Sequence, residues 1–188
     1  MTFDELEDLH NITHLKNLPS ILEHGIVSHE RAKKLNHESV AMQEIQDRRA
    51  IVVLPNGRRL HSYANLYINA RNKMMFKIRD RHKELCVIRI AKGVLELQGV
   101  VVTDQNASSD RVRFGGGVDG LKRIDRDYVF AKYWNHPNDQ IEHWDMVPRC
   151  APKCWCQTAY RRSSSRDSTF HVTRQRMKSG TSFRTRMS

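Results

Sequence analysis

No stretch of this 188-residue chain approaches the roughly 18–20 consecutive apolar residues that a membrane-spanning helix requires, so no association with the bilayer core is expected. The acidic opening Met1-Thr-Phe-Asp-Glu-Leu-Glu-Asp8 lacks the positive and apolar regions of a secretory signal, and a cytoplasmic location is the expectation. Cysteine is scarce: there are four, three of them bunched at Cys150, Cys154 and Cys156. That pattern is not the spread framework of a secreted disulfide domain, and free thiols are expected. Beyond Arg149 the chain has no Leu, no Ile and no Glu, one Val (Val172) and one acid (Asp167). Such a composition buries too little apolar surface to offset its own ordering entropy. Residues 150–188 therefore read as a disordered basic tail, and 1–149 as one domain.

Charge is distributed just as unevenly. Ten Lys or Arg in residues 149–188 stand against a single acid, so that segment carries +9 of the formal +11 and the first 148 residues only +2. A basic protein usually signals a polyanionic partner, but here the signal comes mostly from the tail.

What is present suits a mixed α+β domain, the chain being 39% hydrophobic. Asn17-Leu-Pro-Ser-Ile-Leu-Glu-His-Gly25 reads as a short helix with Asn17 as N-cap, Pro19 in the first turn and Gly25 at the stop. Ser39–Arg49 is a second helix, and Asp127–Trp134 a third, with Tyr128, Ala131 and Trp134 near one face. Strands are expected at Ile51–Leu54 before the Pro55-Asn-Gly57 turn, and within Leu60–Ile68, Leu85–Ile90 and Gly99–Thr103.

Several blocks in order then stand out. Asn11-Ile-Thr-His14 runs into the Asn17–Gly25 helix, and Ile45-Gln-Asp-Arg-Arg49 comes after it. His61-Ser-Tyr-Ala-Asn-Leu-Tyr-Ile-Asn-Ala-Arg-Asn-Lys-Met-Met-Phe76 is next. Val101-Val-Thr-Asp-Gln-Asn-Ala107, Arg113-Phe114 and Asp127-Tyr-Val-Phe-Ala-Lys-Tyr-Trp134 complete the set. Together they resemble the DarT family, the DNA ADP-ribosyltransferase toxins of bacterial toxin–antitoxin pairs, over residues 9–135.

The resemblance implies an ADP-ribosyltransferase-like fold, a split mixed β-sheet with flanking helices, here incomplete at its C-terminal part. It implies transfer of ADP-ribose from NAD to a base of single-stranded DNA, thymine by the look of the Arg49 block, with no metal. It also implies a macrodomain antitoxin of DarG type as partner. On matching positions Asn11, Ile12, Thr13 and His14 line or support the NAD site, with Ser20 and Ser28 near the nucleotide. Arg49 matches the family's catalytic arginine. Its guanidinium, charged at any physiological pH, suits polarising a base or holding phosphate better than accepting a proton. Tyr63, Tyr67, Asn69 and Arg71 interleave aromatic, amide and cation in the manner of a single-stranded DNA wall, although aromatic residues in a strand also serve as core. Arg111 and Arg113, before Gly115-Gly-Gly117, are candidates for DNA phosphates or simply part of a mobile loop.

The likeness breaks at the C-terminal end. The family runs through a strand close to Arg-Cys-Ala-Glu-Val-Leu-Val-Pro-Asp, whose Glu is the catalytic carboxylate; this chain has Arg149-Cys-Ala-Pro-Lys-Cys-Trp-Cys-Gln157. Rereading the codons for Pro152–Thr158 from the third base of each permits Glu-Val-Leu-Val-Pro-Asp. Leu and the second Val are forced by Cys154-Trp155 and Trp155-Cys156. A frameshift after Ala151 is the expectation, with the catalytic carboxylate lost and the transferase impaired. Two other readings of the same segment are a zinc site from His143, Cys150, Cys154 and Cys156, disfavoured by the tight Cys-x-Cys spacing, and a non-specific, salt-sensitive polycation.

Overall fold

The computed structural model describes residues 1–133, 149 and 151–157, and the backbone of two short strands further on. Eight strands form one sheet: β1 (Asp8–His14), β2 (Ala64–Tyr67), β3 (Leu85–Ala91), β4 (Val101–Thr103), β5 (Phe114–Gly116), β6 (Lys153–Cys156), β7 (His171–Thr173) and β8 (Arg184–Thr185). Their order is β5-β4-β6-β2-β1-β3-β7-β8. Every neighbouring pair is antiparallel, so the α+β class holds while the sheet is not mixed in direction. Among the described residues six α-helices flank it: α1 (Leu18–His24), α2 (His29–Ala32), α3 (Gln43–Ala50), α4 (Lys73–Lys77), α5 (Gly117–Gly120) and α6 (Arg126–Phe130).

Alternation along the strands builds a core on both faces. Leu9, Ala64, Leu66, Cys86, Ile88, Ile90, Val102, Cys154 and Cys156 join Leu121, Ile124 and Val129 on one face. On the other, Ile12, Tyr67, Leu85 and Val87 pack with Met75, while Tyr63, Val101 and Trp155 pack with Leu54 and Leu60. The sheet is nearly parted in its middle. β1 and β3 share seven registered pairs from Asp8↔Ala91 to His14↔Leu85, whereas β1 meets β2 only at His10↔Tyr67. Past that pair the two strands diverge, and the gap between them is where a cleft opens.

Three expected elements come out differently. Ile51–Leu54 forms no strand: Gly57 (φ 76°) reverses the chain so soon that only Val53↔Arg59 bridges, leaving Ile51 and Val53 exposed. The C-terminal helix stops at Phe130, because Ala131 turns to φ −51°, ψ 135°. Asn69 Nδ2 donates to the Val129 carbonyl, and the Arg71 guanidinium to those of Ala131 and Lys132, holding the departing backbone. Trp134 lies outside the described residues. The domain boundary also moves. Composition ends the ordered structure at Arg149, yet Lys153–Cys156 forms a strand in the interior of the sheet, paired on both edges, to Ala64–Tyr67 and to Val101–Thr103. Hydrogen bonding from both neighbours and burial on both faces recruit a segment whose composition alone argues against order.

The glycines before and within α5 differ in their surroundings. Gly115 and Gly116 pair with β4, and a Cβ on Gly120 would lie 2.6 Å from the Val102 Cβ and 3.0 Å from the Gly115 carbonyl oxygen. Gly120→Ala should therefore destabilise the fold by about 2 kcal/mol or more, as overpacking does. Gly116→Ala, at φ −81° with open space around it, should be neutral or slightly stabilising. Urea denaturation of the two variants side by side checks the contrast.

Candidate functional site

The cleft at the split has a volume of about 150 Å³ and is lined from both faces of the sheet. Asn11 and Thr13 come from β1, Ser20 from α1, Arg49 from α3, and Tyr63 and Trp155 from beside and within the central strands. A second cavity of about 410 Å³ adjoins it, lined by Tyr67, Met74, Asn106, Ala151 and Lys153. Arg49 lines both cavities.

The segment Asn11–His14 ends β1, where the missing β2 pairing frees it for the cleft. Asn11 Nδ2 donates to the Asn65 carbonyl at 3.3 Å, spanning the split. Ile12 is mainly core, yet borders the cleft. Thr13 Oγ1 accepts from Asn17 Nδ2 at 3.0 Å. His14 is buried, its Nδ1 accepting from the Lys16 amide and its Nε2 3.5 Å from the Glu84 carboxylate. Asn17 does not cap α1 with its side chain. It instead donates to the Glu38 carbonyl and accepts from the Glu38 amide, both at 2.8 Å, fastening the chain that borders the cleft. Ser28 is buried and caps α2 by accepting from the Arg31 amide; its neighbours Val27 and His29, and not Ser28, line the cleft.

Arg49 reaches the cleft because α3 turns Ile45, Gln46 and Arg49 inward while Glu44, Asp47 and Arg48 stay exposed. Arg48 pairs with Glu44 at 2.7 Å on the outer face. Arg49 is 5% exposed, its guanidinium 5.6 Å from the Trp155 ring centroid and its Nε without a hydrogen-bond partner. A buried cation facing open volume is what ligand recognition asks for and stability alone does not.

The expected DNA wall is distributed differently. Tyr63 is 2% exposed and accepts from Asn56 Nδ2 at 2.8 Å; Tyr67 is 3% exposed, and its hydroxyl donates to Met74 Sδ at 3.0 Å. Both rings are core that borders a cavity, without an outer face on which a base could stack. Asn69 and Arg71 are committed to the end of α6, because backbone carbonyls there lie within reach of their donors. Arg113 is tied to the buried Asp104, Nε to Oδ2 at 2.7 Å, whereas Arg111 is exposed, its carbonyl accepting from Gln105 Nε2.

Residues that the sequence did not single out complete the site. His29 and His61 lie against each other on the cleft wall, their rings tilted by 41° with centroids 4.4 Å apart, and Gln46 Oε1 is 3.1 Å from His61 Nε2. Lys153 is 1% exposed in β6, its Nζ 3.4 Å from Asn106 Oδ1 and 4.8 and 5.5 Å from the Tyr67 and Trp155 ring centroids. Burial, then the charge of Arg49, holds its pKa well below that of an ordinary lysine. Cys154 and Cys156 point into the opposite core, where burial pushes both thiols up, Cys156 to about 12. Neutral thiols facing the core do not suit a thiolate metal site. His143 and Cys150 lie outside the described residues. Among the described residues no group of three His, Cys, Asp or Glu converges on one point.

Known proteins share this architecture. The family described as "ssDNA thymidine ADP-ribosyltransferase, DarT" matches residues 10–148. A DNA ADP-ribosyl transferase–DNA ADP-ribosyl glycohydrolase fusion protein of Thermosipho africanus is 31% identical over 168 residues, covering 84% of this chain and 43% of the relative. A DNA ADP-ribosyl transferase of Thermus aquaticus is 32% identical over 137 residues, covering 67% and 62%. The chain thus spans about half the length of these relatives. In fold it is similar to Thermus sp. 2.9 DarT in complex with ADP-ribosylated ssDNA, with TM-score 0.71 at 23% identity over 85% of this chain and 79% of the other. It is also similar to Thermosipho africanus DarTG in complex with ADP-ribose, with TM-score 0.67 at 24% identity over 82% and 41%.

The histidine pair gives the fold an acid sensitivity. Burial, then the charges of His61, Lys33, His37 and Arg49, lowers the His29 pKa from 6.5 to about 4, and burial lowers His61 and His10 as well. Between these values the unfolded chain binds protons that the folded chain refuses. Stability is therefore full above pH 6.5 and falls as the pH drops towards 4. Urea midpoints at pH 7.5 and pH 5 should show this loss, and His29→Asn should shrink it.

Proposed function

The chain belongs to the DarT family of DNA ADP-ribosyltransferases, and on that premise we propose that it keeps the family's NAD and single-stranded DNA framework but not the carboxylate that drives transfer. The observation that carries this is the charge of the two cavities. Their described linings hold Arg49 and Lys153 buried, while the acids among them, Glu38 and Asp110, are both exposed. Cleaving a nicotinamide–ribose bond builds oxocarbenium character at the ribose, and a site that stabilises it needs negative charge nearby. A buried guanidinium and a buried lysine, with no carboxylate in ion-pair contact with them among the described residues, do not supply it. The cleft fits recognition of a polar nucleotide and does not fit its cleavage.

In this reading Asn11, Thr13 and Ser20, with Ile12 and His14 behind them, hold NAD as substrate, and Arg49 meets the phosphate or target base. Thymine is the base we favour, from the Arg49 block and the description of the matching family. The relative that fuses a transferase to a DNA ADP-ribosyl glycohydrolase supports a macrodomain antitoxin as partner of an intact form. No described helix is long and apolar enough to cross a membrane.

The identity of β6 fits the same reading. A strand paired on both edges and covered on both faces is ordinarily rich in Val, Ile and Leu. This one presents Lys153, Cys154, Trp155 and Cys156, all at most 2% exposed, with Trp155 Nε1 lacking a partner. The family match ends at residue 148, just before it. A reading-frame shift after Ala151 accounts for a strand of the right place and the wrong residues.

The test has two arms. The chain as it stands, incubated with NAD and a thymine-containing single-stranded oligonucleotide, should give no ADP-ribosylated product, although calorimetry should detect NAD binding. The variant P152E/K153V/C154L/W155V/C156P/Q157D should label the oligonucleotide, and adding Arg49→Ala to it should lower the rate by roughly 10²-fold or more, the scale of losing one electrostatic catalytic group. Labelling by the unaltered chain at the rate of a Thermus relative would overturn the reading. Sequencing codons 145–160 decides independently whether the present frame is the encoded one.

A further inference from the structure

We propose that the larger cavity is an anion site built by this chain's own β6, in which Lys153 and Arg49 together take a phosphate group. The inference rests on the reading that the site lacks its carboxylate. Lys153 cannot carry its amine to solvent as a surface lysine does, because the whole residue is 1% exposed in an interior strand of the sheet. Its surroundings are the Asn106 amide oxygen at 3.4 Å and the faces of Tyr67 and Trp155. Arg49 faces the same Trp155 ring, with Nε unpartnered. Among the described residues neither cation has a carboxylate within ion-pair distance.

The energetic balance favours an anion. A cation over a desolvated aromatic face, helped by one neutral amide contact, recovers only part of the cost of taking an ion out of water, even after the protein relaxes. Two neighbouring cations make the deficit larger, and burial with the Arg49 charge already disfavours the ammonium form of Lys153. An entering anion reverses the balance, because it pairs with both at once.

The room for it is present. The cavity of about 410 Å³ exceeds a single phosphate and suits a phosphate carried on a larger ligand. Lys73, Lys77 and Arg48 line it further out, with Asp110 the acid among the lining residues. The ammonium offers three donors and the guanidinium a planar fork, a set that matches phosphate oxygens and that a carbonyl or hydroxyl ligand would leave underused. The phosphate can come from a DNA backbone or from the pyrophosphate of a dinucleotide.

The probe is inorganic pyrophosphate, titrated into the full chain at constant ionic strength by calorimetry and by thermal shift. One saturable site is expected, raising Tm, with affinity reduced at least tenfold by Lys153→Met and by Arg49→Gln. Without pyrophosphate, Lys153→Met should melt at or above the temperature of the parent, since an apolar side chain of similar length replaces a buried charge. That outcome keeps loss of binding distinct from loss of fold. Lys122→Ala, at an exposed pair with Asp119, should bind like the parent. Competition identifies the source. Displacement by ADP-ribose points to the dinucleotide, and displacement by a short oligothymidylate to the DNA backbone. Absence of saturable binding at millimolar pyrophosphate, or equal binding by Lys153→Met, would overturn the site while leaving the oligonucleotide-labelling result untouched.

Discussion

Among the described residues, strands β4 and β5 reach the rest of the sheet only through β6. Thr103 and Val101 pair with Lys153 and Trp155 on one edge of that strand, and Tyr67 and Asn65 with the same two residues on the other. The backbone of four residues thus closes the sheet, fixes the floor of both cavities and supplies the Trp155 face against which Arg49 lies. The cleft, the burial of Tyr63 and Tyr67 and the position of Arg49 all depend on that insertion.

Its side chains strain the arrangement that its backbone completes. Cysteine in place of larger aliphatics contributes less apolar burial, and a lysine in the interior carries a desolvation cost that neighbouring aromatic rings do not offset. Yet backbone pairing is indifferent to side-chain identity, so the strand can form while its chemistry is foreign to the site it builds. This separates the two halves of the function. In the proposed reading the recognition residues sit on β1, α1 and α3, which the family match includes, and stabilisation of a developing positive charge falls to the segment that differs.

Local signals in the sequence transfer well wherever the physics is local. Pro19 in the first turn and Gly25 at φ 78° bound α1 as their own backbone preferences require. The apolar run Leu85–Ile90 forms β3, and Arg49 is the inward cation of α3 while Arg48 stays in solvent. Asn17 departs from its expected capping role because its side chain has a non-local partner: the Glu38 backbone is 21 residues away, and nothing in a capping pattern announces it. Tyr63 and Tyr67, with Asn69 and Arg71, read as a DNA wall in sequence because aromatics, amides and cations serve surfaces and interiors alike. Only their neighbours on β6 and α6 show where they go.

The sequence by itself determined the α+β class, the family, the ends of α1, the Asn11–His14 and Arg49 blocks and the point at which likeness to the family stops. All of these rest on short-range backbone preferences and on ordered motifs, both written within a few residues. Tertiary structure alone decided that the segment after Ala151 enters the sheet, that β1 and β2 part after a single pair, and that His29, His61, Lys153 and Asn106 gather around the cavities. Each of those outcomes depends on pairing or burial between residues tens of positions apart. The free energy that selects them belongs to the assembled sheet, and no local window of the chain contains it.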